Sequence, residues 1–375
     1  MKDAKGNVAI LGASYHQLPL IERAKELGYI THVFAWECGD IGEAAADFFH
    51  PISTIDKEAV LQKCRELDVD GVCTIATDVG LITANYVAEK MGLIGNSMNS
   101  TLKSTNKHLM REAFFKNGDP SPKSIVVDSE TDLSKLDITY PAIVKPTDRS
   151  GSRGVCKLED SAKLTEAVKN AIEQSFEKRA VVEEFAEGKE YSVEYISYKG
   201  QHTFLTVTLK YTTGAPYYIE TGHLQPAPVD DETKERIKAV VEHALDSLEI
   251  EYGATCTEIK IDDNGEIKLI EICPRMGGDC FSELVKYSTG YDYVGMVIQI
   301  ACGEEPDFTP IVEPCPVESV FILNQEDLDK FNWIQENEPD RILRIADLSL
   351  EHLGSATDSS NRAGCYVVKH KDESK

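Results

Sequence analysis

The residues best placed to do chemistry lie in one stretch, Glu258-Ile-Lys-Ile-Asp-Asp-Asn264-Gly265-Glu-Ile-Lys-Leu-Ile-Glu271-Ile-Cys-Pro-Arg275-Met-Gly-Gly278. Two runs of alternating apolar and charged residues flank Asn264-Gly265, a strong hairpin signal. A two-residue turn there predicts Ile261 facing Lys268, Ile259 facing Ile270 and Glu258 facing Glu271. Directly opposed residues have Cβ atoms about 4.5–5.5 Å apart, where like charges destabilise a sheet. At an effective dielectric of about 20, two carboxylates about 4 Å apart repel by roughly 4 kcal/mol. A bound cation removes that penalty, and hard oxygen ligands suit Mg²⁺. The alternative is a solvated hairpin edge with both acids splayed into water, or a longer turn that shifts the register. Pro274 stops the strand, and Arg275 with Gly277-Gly278 then supplies a cation and close-approach backbone. That layout suits a phosphate together with its metal.

Elements that must position this stretch are read from the rest of the chain. Residues 5–100 alternate strand and helix patterns: strands near Val8–Leu11, Thr31–Ala35 and Gly71–Ile75, and helices near Leu18–Leu27, Lys57–Leu67 and Leu81–Met91. Such alternation predicts βαβ units and a parallel sheet. The first turn, Gly12-Ala-Ser-Tyr-His16, lacks the spaced glycines of a dinucleotide site, so no NAD is expected. Thr77-Asp78 follows a strand, where open α/β sheets bind ligands, but the pair also reads as an ordinary helix N-cap. A helix is predicted from Ser104 to Gly118, carrying Lys107, and Asp119-Pro-Ser-Pro-Lys123 reads as a linker.

A second, smaller α/β unit is expected over 120–187. Its strand Tyr140–Pro146 carries Lys145 near its end, and the loop Thr147-Asp-Arg-Ser150-Gly151-Ser152-Arg-Gly154 is small, basic and glycine-spaced. Backbone N–H groups of such a loop can cradle phosphate oxygens; Lys145 reads equally as a solvated strand end. After a helix at Ala162–Phe176, the strand Ala180–Glu183 runs into Glu184-Phe185-Ala186-Glu-Gly188-Lys-Glu190. This connector reads either as a nucleotide hinge or as a plain hinge with exposed acids. From 189 to 303 the pattern is strand-rich, with helices at Asp231–Leu248 and Phe281–Ala301. The irregular run from Pro216 to Pro228 includes Glu220 and His223, and a lone histidine is more often structural. The last 70 or so residues, from 304 on, are expected to form a small α+β cap with strands near Val317–Leu323 and Cys365–Val368.

Composition excludes several classes. The 375 residues are 42% hydrophobic and 27% charged, as in ordinary globular proteins. A formal charge of −25, from 64 acids against 39 Lys and Arg, argues against nonspecific nucleic-acid or anionic-membrane binding. The ten cysteines form no CxxC pair, so reduced thiols and a cytoplasmic location are expected. No membrane-length or signal-like apolar run is present.

Taken in order, these pieces resemble the ATP-grasp superfamily over nearly the whole chain. The resemblance implies an α/β and α+β architecture: an N-terminal parallel α/β domain at 1–100, an ATP-grasp domain at 101–303 (small lid lobe 120–187, metal and substrate lobe 188–303) and a C-terminal subdomain at 304–375. It implies ATP and Mg²⁺, with Mn²⁺ as an acceptable substitute. By this likeness Lys107 and Lys145 contact the α and β phosphates, and the loop Ser150-Gly151-Ser152-Arg-Gly154 covers them. Glu183 with the backbone of Glu184, Phe185 and Ala186 forms the adenine hinge, Glu190 the ribose acid, and Glu258 and Glu271 the metal ligands. Arg275 steadies the transferred phosphoryl group. Where many members carry Asn, this chain has Cys273, a poor Mg²⁺ ligand.

Within the superfamily, Glu271-x-x-x-Arg275-x-x-Gly278 with Ile-Glu220-Thr-Gly-His223-x-x-Pro226 is most similar to L-amino-acid ligases, whose Glu220 and His223 region approaches the amino acid. Pro274-Arg275 and Thr289-Gly-Tyr also resemble carbamoyl-phosphate synthetase large subunits. The implied activity is an ATP-dependent carboxylate–amine ligase with small-molecule substrates, and a homodimer is compatible with it. A purine- or biotin-type carboxylase or formyl-transferring relative is the rival enzyme, and a catalytically silent nucleotide-binding protein is the rival of another class.

Overall fold

The computed structural model describes residues 4–151, 153–214, 219–346, 348–356 and 361–371. Strands β1 (Gly6–Leu11), β2 (Tyr29–Phe34), β3 (Phe48–His50) and β4 (Gly71–Cys73) form a parallel sheet in the order β3-β2-β1-β4. Val8, Ala9, Ile10 and Leu11 are all fully buried, as expected when both faces of a parallel strand are covered. Ala9 and Leu11 pack within this unit. Val8 and Ile10 share a cluster with Met276, Phe281 and the helix Tyr293–Ala301, so the other face is fused to the body of the protein. The helix Lys57–Leu67 begins where Asp56 accepts a hydrogen bond from the Ala59 N–H, and it buries Val60, Leu61 and Cys64 at helical spacing.

The second unit is antiparallel. Strands β5 (Ser124–Val127), β6 (Ala142–Pro146), β7 (Cys156–Leu158) and β8 (Ala180–Glu184) run in the order β5-β8-β6-β7, backed by the helix Leu164–Gln174. That helix buries Leu164, Ala167, Val168 and Ala171 against Ala142, Val144 and Val182.

An eight-stranded sheet makes the floor of the molecule. It contains β9 (Lys189–Tyr198), β10 (Gln201–Thr212), β11 (Glu220–Gln225), β12 (Gly253–Ile261), β13 (Ile267–Cys273), β14 (Val317–Ile322), β15 (Ile342–Ala346) and β16 (Gly364–Lys369). Their order is β13-β12-β9-β10-β11-β14-β16-β15. The segment after residue 304, expected as a small α+β cap, joins the central sheet, because β14 pairs with β11. No described helix is long and apolar enough to cross a membrane.

Three local expectations change. The helix read from Ser104 is two helices, Met98–Thr105 and Lys107–Asn117. Asn106 ends the first and caps the second by accepting from the His108 and Leu109 N–H groups. The helix read over Phe281–Ala301 is broken at Gly290, whose φ of +84° and tight packing against Val312 suit only glycine. The hairpin has a three-residue loop, not two. The Asp262 N–H donates to the Glu266 carbonyl at 3.1 Å, and Gly265 takes the left-handed position at φ +80°. Ile261 therefore faces Ile267, and Ile259 faces Leu269. A bulge between Glu258 and Ile259 then restores the register, so Glu258 does oppose Glu271.

Candidate active site

A cleft of about 320 Å³ opens between the antiparallel unit and the large sheet. Ile143, Val155, Phe185 and Ile270 line its apolar side, and its charged side carries Lys107, Lys145, Lys210, Arg275 and a set of carboxylates. Cis peptide bonds precede Pro141 and Pro226.

Lys145, on β6, is buried and lies 2.7 Å from Glu183 on β8. Arg111, from the helix Lys107–Asn117, grips the same carboxylate at 2.9 Å and also donates to the Ile270 carbonyl at 2.6 Å. Burial would raise the Glu183 pKa, but Arg111 and Lys145 together bring it down to about 2. Burial, with Arg111 and Lys107 nearby, outweighs Glu183 and lowers the Lys145 pKa. The Glu183 side chain therefore ties β8 to Lys145 on β6. Two amides of the expected hinge are also committed: the Glu184 N–H donates to the Lys123 carbonyl at 3.0 Å and the Phe185 N–H to the Pro141 carbonyl at 2.9 Å. The Phe185 ring is flanked by the Lys157 and Lys260 ammoniums, 4.1 and 4.6 Å from its centroid. Ala186 joins Glu184 and Phe185 in lining the cleft.

Lys107 stands at the first turn of its helix, with its N–H bonded to the Thr147 carbonyl at 2.8 Å. Its buried ammonium meets Glu271 and the Arg149 carbonyl, each at 2.8 Å. Burial alone would lower its pKa, but Glu271 raises it. The Arg149 contact draws in the glycine loop, whose Gly151 and Gly154 adopt φ of +69° and +72°. Asp148 pins the loop base by accepting from the Phe176 and Glu177 N–H groups. Ser150 and Gly151 line the cleft; Ser152 lies outside the described residues.

Glu258 does not share a partner with Glu271. It lies 2.8 Å from the Lys210 ammonium, which also meets Glu190 at 2.9 Å and Glu220 at 2.7 Å. Among the described residues, Glu190, Glu220 and Glu258 present carboxylate oxygens all within 4.8 Å of one another. The repulsion expected between Glu258 and Glu271 is therefore relieved by a separate lysine on each. Glu190, read as a ribose acid, joins Glu220 in the carboxylate cluster. These oxygen donors fit a hard divalent ion.

Arg275 is partly buried, with its side chain 11% exposed, and its Nε donates to Asp78 at 2.8 Å. Burial raises the Asp78 pKa, but Arg275, with Lys107 and Ser150 adding to it, brings it below the ordinary value. Thr77 caps the helix Asp78–Met91 by accepting from the Gly80 N–H, so the N-cap reading holds. Asp78 nonetheless reaches the site. The Ala76 N–H donates to the Met276 carbonyl at 3.1 Å, which fastens the parallel sheet to the loop after β13.

His223 does not reach the cleft. It is 1% exposed, packed against Phe281 and Phe321, with Nδ1 3.0 Å from the Ser319 hydroxyl and Nε2 3.3 Å from Glu220. It stands behind Glu220. Burial works against the Glu220 carboxylate, yet Lys210 and His223 hold its pKa well below the usual range. Residues 215–218 of the same irregular run lie outside the described residues. Cys273 is buried at the cleft wall.

Sequence reasoning left Asp78 open between ligand site and helix cap, and missed Arg111, Lys210 and the pair Asp279–Arg362. Lys210 had a readable signal. In β10, Leu205, Val207 and Leu209 alternate with Thr206, Thr208 and Lys210, which places the lysine on a polar face. Arg111 and Arg362 had none, since their partners are distant in sequence. On the same face of β9 as Glu190 and Ser192, Glu194 is fully buried and accepts from the Ser192 hydroxyl; burial pushes its pKa up to about 8.

Comparisons with known proteins bear on the domain and the fold. Residues 138–283 match the model of the ATP-grasp domain. The chain is 28% identical over 325 residues to alanine–anticapsin ligase of Bacillus amyloliquefaciens, covering 76% of this chain and 68% of the relative. The L-amino acid ligase from Bacillus licheniformis superposes with a TM-score of 0.83 at 24% identity, over 99% of this chain and 95% of that one. Phosphoribosylglycinamide synthetase from Anaerococcus prevotii superposes with a TM-score of 0.78, also at 24% identity, over 98% and 95% of the two chains. Residues 138–283, which span β6 to β8, the connector after them and the β12–β13 hairpin, are thus an ATP-grasp domain, and the chain shares the fold of the ATP-grasp enzymes it superposes on along its whole length.

Proposed function

We propose that this enzyme joins a carboxylic acid to an amine at the cost of ATP, through an acyl phosphate, with an amino acid among its substrates. The observation that carries the reading is the arrangement of Lys107, Lys145 and Arg275 around one cleft with a carboxylate cluster at its floor. The resemblance to amino-acid ligases supports the choice of substrate class.

Lys145 and Lys107 neutralise nucleotide phosphates, each held in place by a carboxylate it does not share with the other. The glycine loop, drawn in by Lys107, shields the cleft from water. Mg²⁺ bound with the nucleotide would be held by Glu258 with Glu190, Glu220 or Glu271, and it supplies charge neutralisation on the phosphates. Arg275, braced by Asp78, faces the group in transfer; its contact strengthens as charge develops. The carboxylate oxygen attacks the γ-phosphorus and ADP leaves. The amine then attacks the acyl carbon, phosphate departs with the carboxylate oxygen, and the amine loses a proton. We place this chemistry in the cytoplasm, consistent with cysteines that are all free thiols.

The test is a substrate labelled with heavy oxygen in its carboxylate, found by screening acids and amines for ADP release. Label must appear in inorganic phosphate with ADP as the nucleotide product. AMP and pyrophosphate would mean adenylation and defeat the proposal. Unlabelled phosphate with product formed would favour a carboxylase-type reaction.

A further inference from the structure

Lys210 is not explained by the chemistry above. It projects from β10 into the carboxylate cluster, with its side chain 5% exposed. An ammonium has three N–H donors, and three carboxylates, Glu190, Glu220 and Glu258, lie at 2.9, 2.7 and 2.8 Å. Its hydrogen-bonding capacity is thus filled by the same oxygens that lie within 4.8 Å of one another. One position is therefore claimed by two cations.

We propose that Lys210 is a built-in counter-cation that occupies the divalent-metal position of the free enzyme, so that metal and ammonium compete for the same three carboxylates. The inference rests on the metal reading of Glu258. While Lys210 is bonded to all three acids, a divalent ion meets a cluster whose net charge is −2 instead of −3 and whose oxygens are already used. Free metal then binds weakly. Metal arriving with a nucleotide brings further charge and ligand oxygens, which shift the balance and release the ammonium toward phosphate. Competition of this kind is reciprocal: whatever Lys210 takes from metal affinity, bound metal takes from the Lys210 contacts.

The experiment is a Mn²⁺ titration of the free protein without nucleotide, read by water-proton relaxation. Lys210→Met should bind Mn²⁺ at least tenfold more tightly than wild type, and adding Glu258→Gln to it should erase the gain. Lys210→Arg, which keeps the charge, should stay within threefold of wild type. Equal or weaker binding by Lys210→Met overturns the proposal, as does an equal gain in the Arg variant. Unmodified protein gives a second readout that needs no variant to fold. Acetylation of Lys210, followed by peptide mass spectrometry, should rise severalfold when Mn²⁺ is saturating; an unchanged rate overturns the proposal too. Neither readout involves ligation, so failure here leaves the proposed reaction standing, and failure of the oxygen-label test leaves this competition standing.

Discussion

Glu183→Gln removes the charge that Lys145 and Arg111 share while keeping the shape. The carboxylate is 3% exposed, with the two cations at 2.7 and 2.9 Å. Its pKa falls from the ordinary 4.5 to about 2, which corresponds to about 3 kcal/mol of folding stability. The pKa is depressed on folding, so this contribution is complete above pH 4.5 and is lost as the pH drops toward 2. The variant should unfold about 3 kcal/mol more easily at pH 7, within the range for breaking a buried pair. The gap should hold down to about pH 5 and then narrow, closing by about 1 kcal/mol between pH 4.5 and 3.5. Urea midpoints of both proteins, followed by a fluorescence probe in the antiparallel unit, measure it. Lys145 also loses the partner that opposes its low pKa, so KM for ATP should rise in the variant, more steeply at alkaline pH. A gap that stays constant to pH 3.5, or no gap at pH 7, would refute the assignment of that stability to the Glu183 charge.

Other outcomes follow from the same geometry. Glu271→Gln should abolish nearly all ATP turnover and lower stability by about 3 kcal/mol, because it strands the buried Lys107 rather than relieving a repulsion; a melting temperature equal to wild type would contradict this. Arg275→Ala should reduce kcat about 10²–10³-fold with KM for ATP little changed. Asp78→Asn should lower kcat about tenfold by loosening Arg275, and loss of ATP affinity alone in either variant would move that pair to nucleotide recognition. Glu194 is held neutral in the fold up to about pH 8 but ionises near 4.5 when unfolded, so folding loses a few kcal/mol as pH rises between those values. Glu194→Gln should therefore be more stable than wild type at pH 8.5 and close to it at pH 5, as thermal melts would show. Cys273→Ser should leave the Mg²⁺ dependence of ATP turnover almost unchanged; a large loss would mean that the thiol is more than a wall group.

Much of the scaffold was legible because period and punctuation agree. Asp56, Leu67 and the spacing between them place one helix to the residue, and Asn264-Gly265 places the hairpin. The hairpin also shows where reading stops. Asp262 accepts from the Asn264 and Glu266 N–H groups, which favours a three-residue loop. The bulge beside Glu258 compensates for that extra residue, so the opposition of Glu258 and Glu271 came out right although its neighbours in register did not. Local pattern could not say which cation each acid would take. Lys107 is 164 residues from Glu271, and Lys210 is 48 from Glu258, distances over which only the folded sheet decides. The same holds for His223: its motif marked a functional neighbourhood, while the rings of Phe281 and Phe321 put it behind the acid instead of in the cleft.

The continuation of the large sheet past residue 303 bears on how far the chain can be shortened. β14 covers the outer edge of β11 and carries Ser319, the partner of His223. A chain cut after residue 303 would leave the N–H and C=O groups of β11 as a raw edge next to Glu220, open to pairing with another molecule. Such a fragment would contain every residue of the matched domain and still lack the backing of its own acid cluster. It should self-associate more readily than the full chain, making the far end of the molecule a guard on the strand that carries the acid.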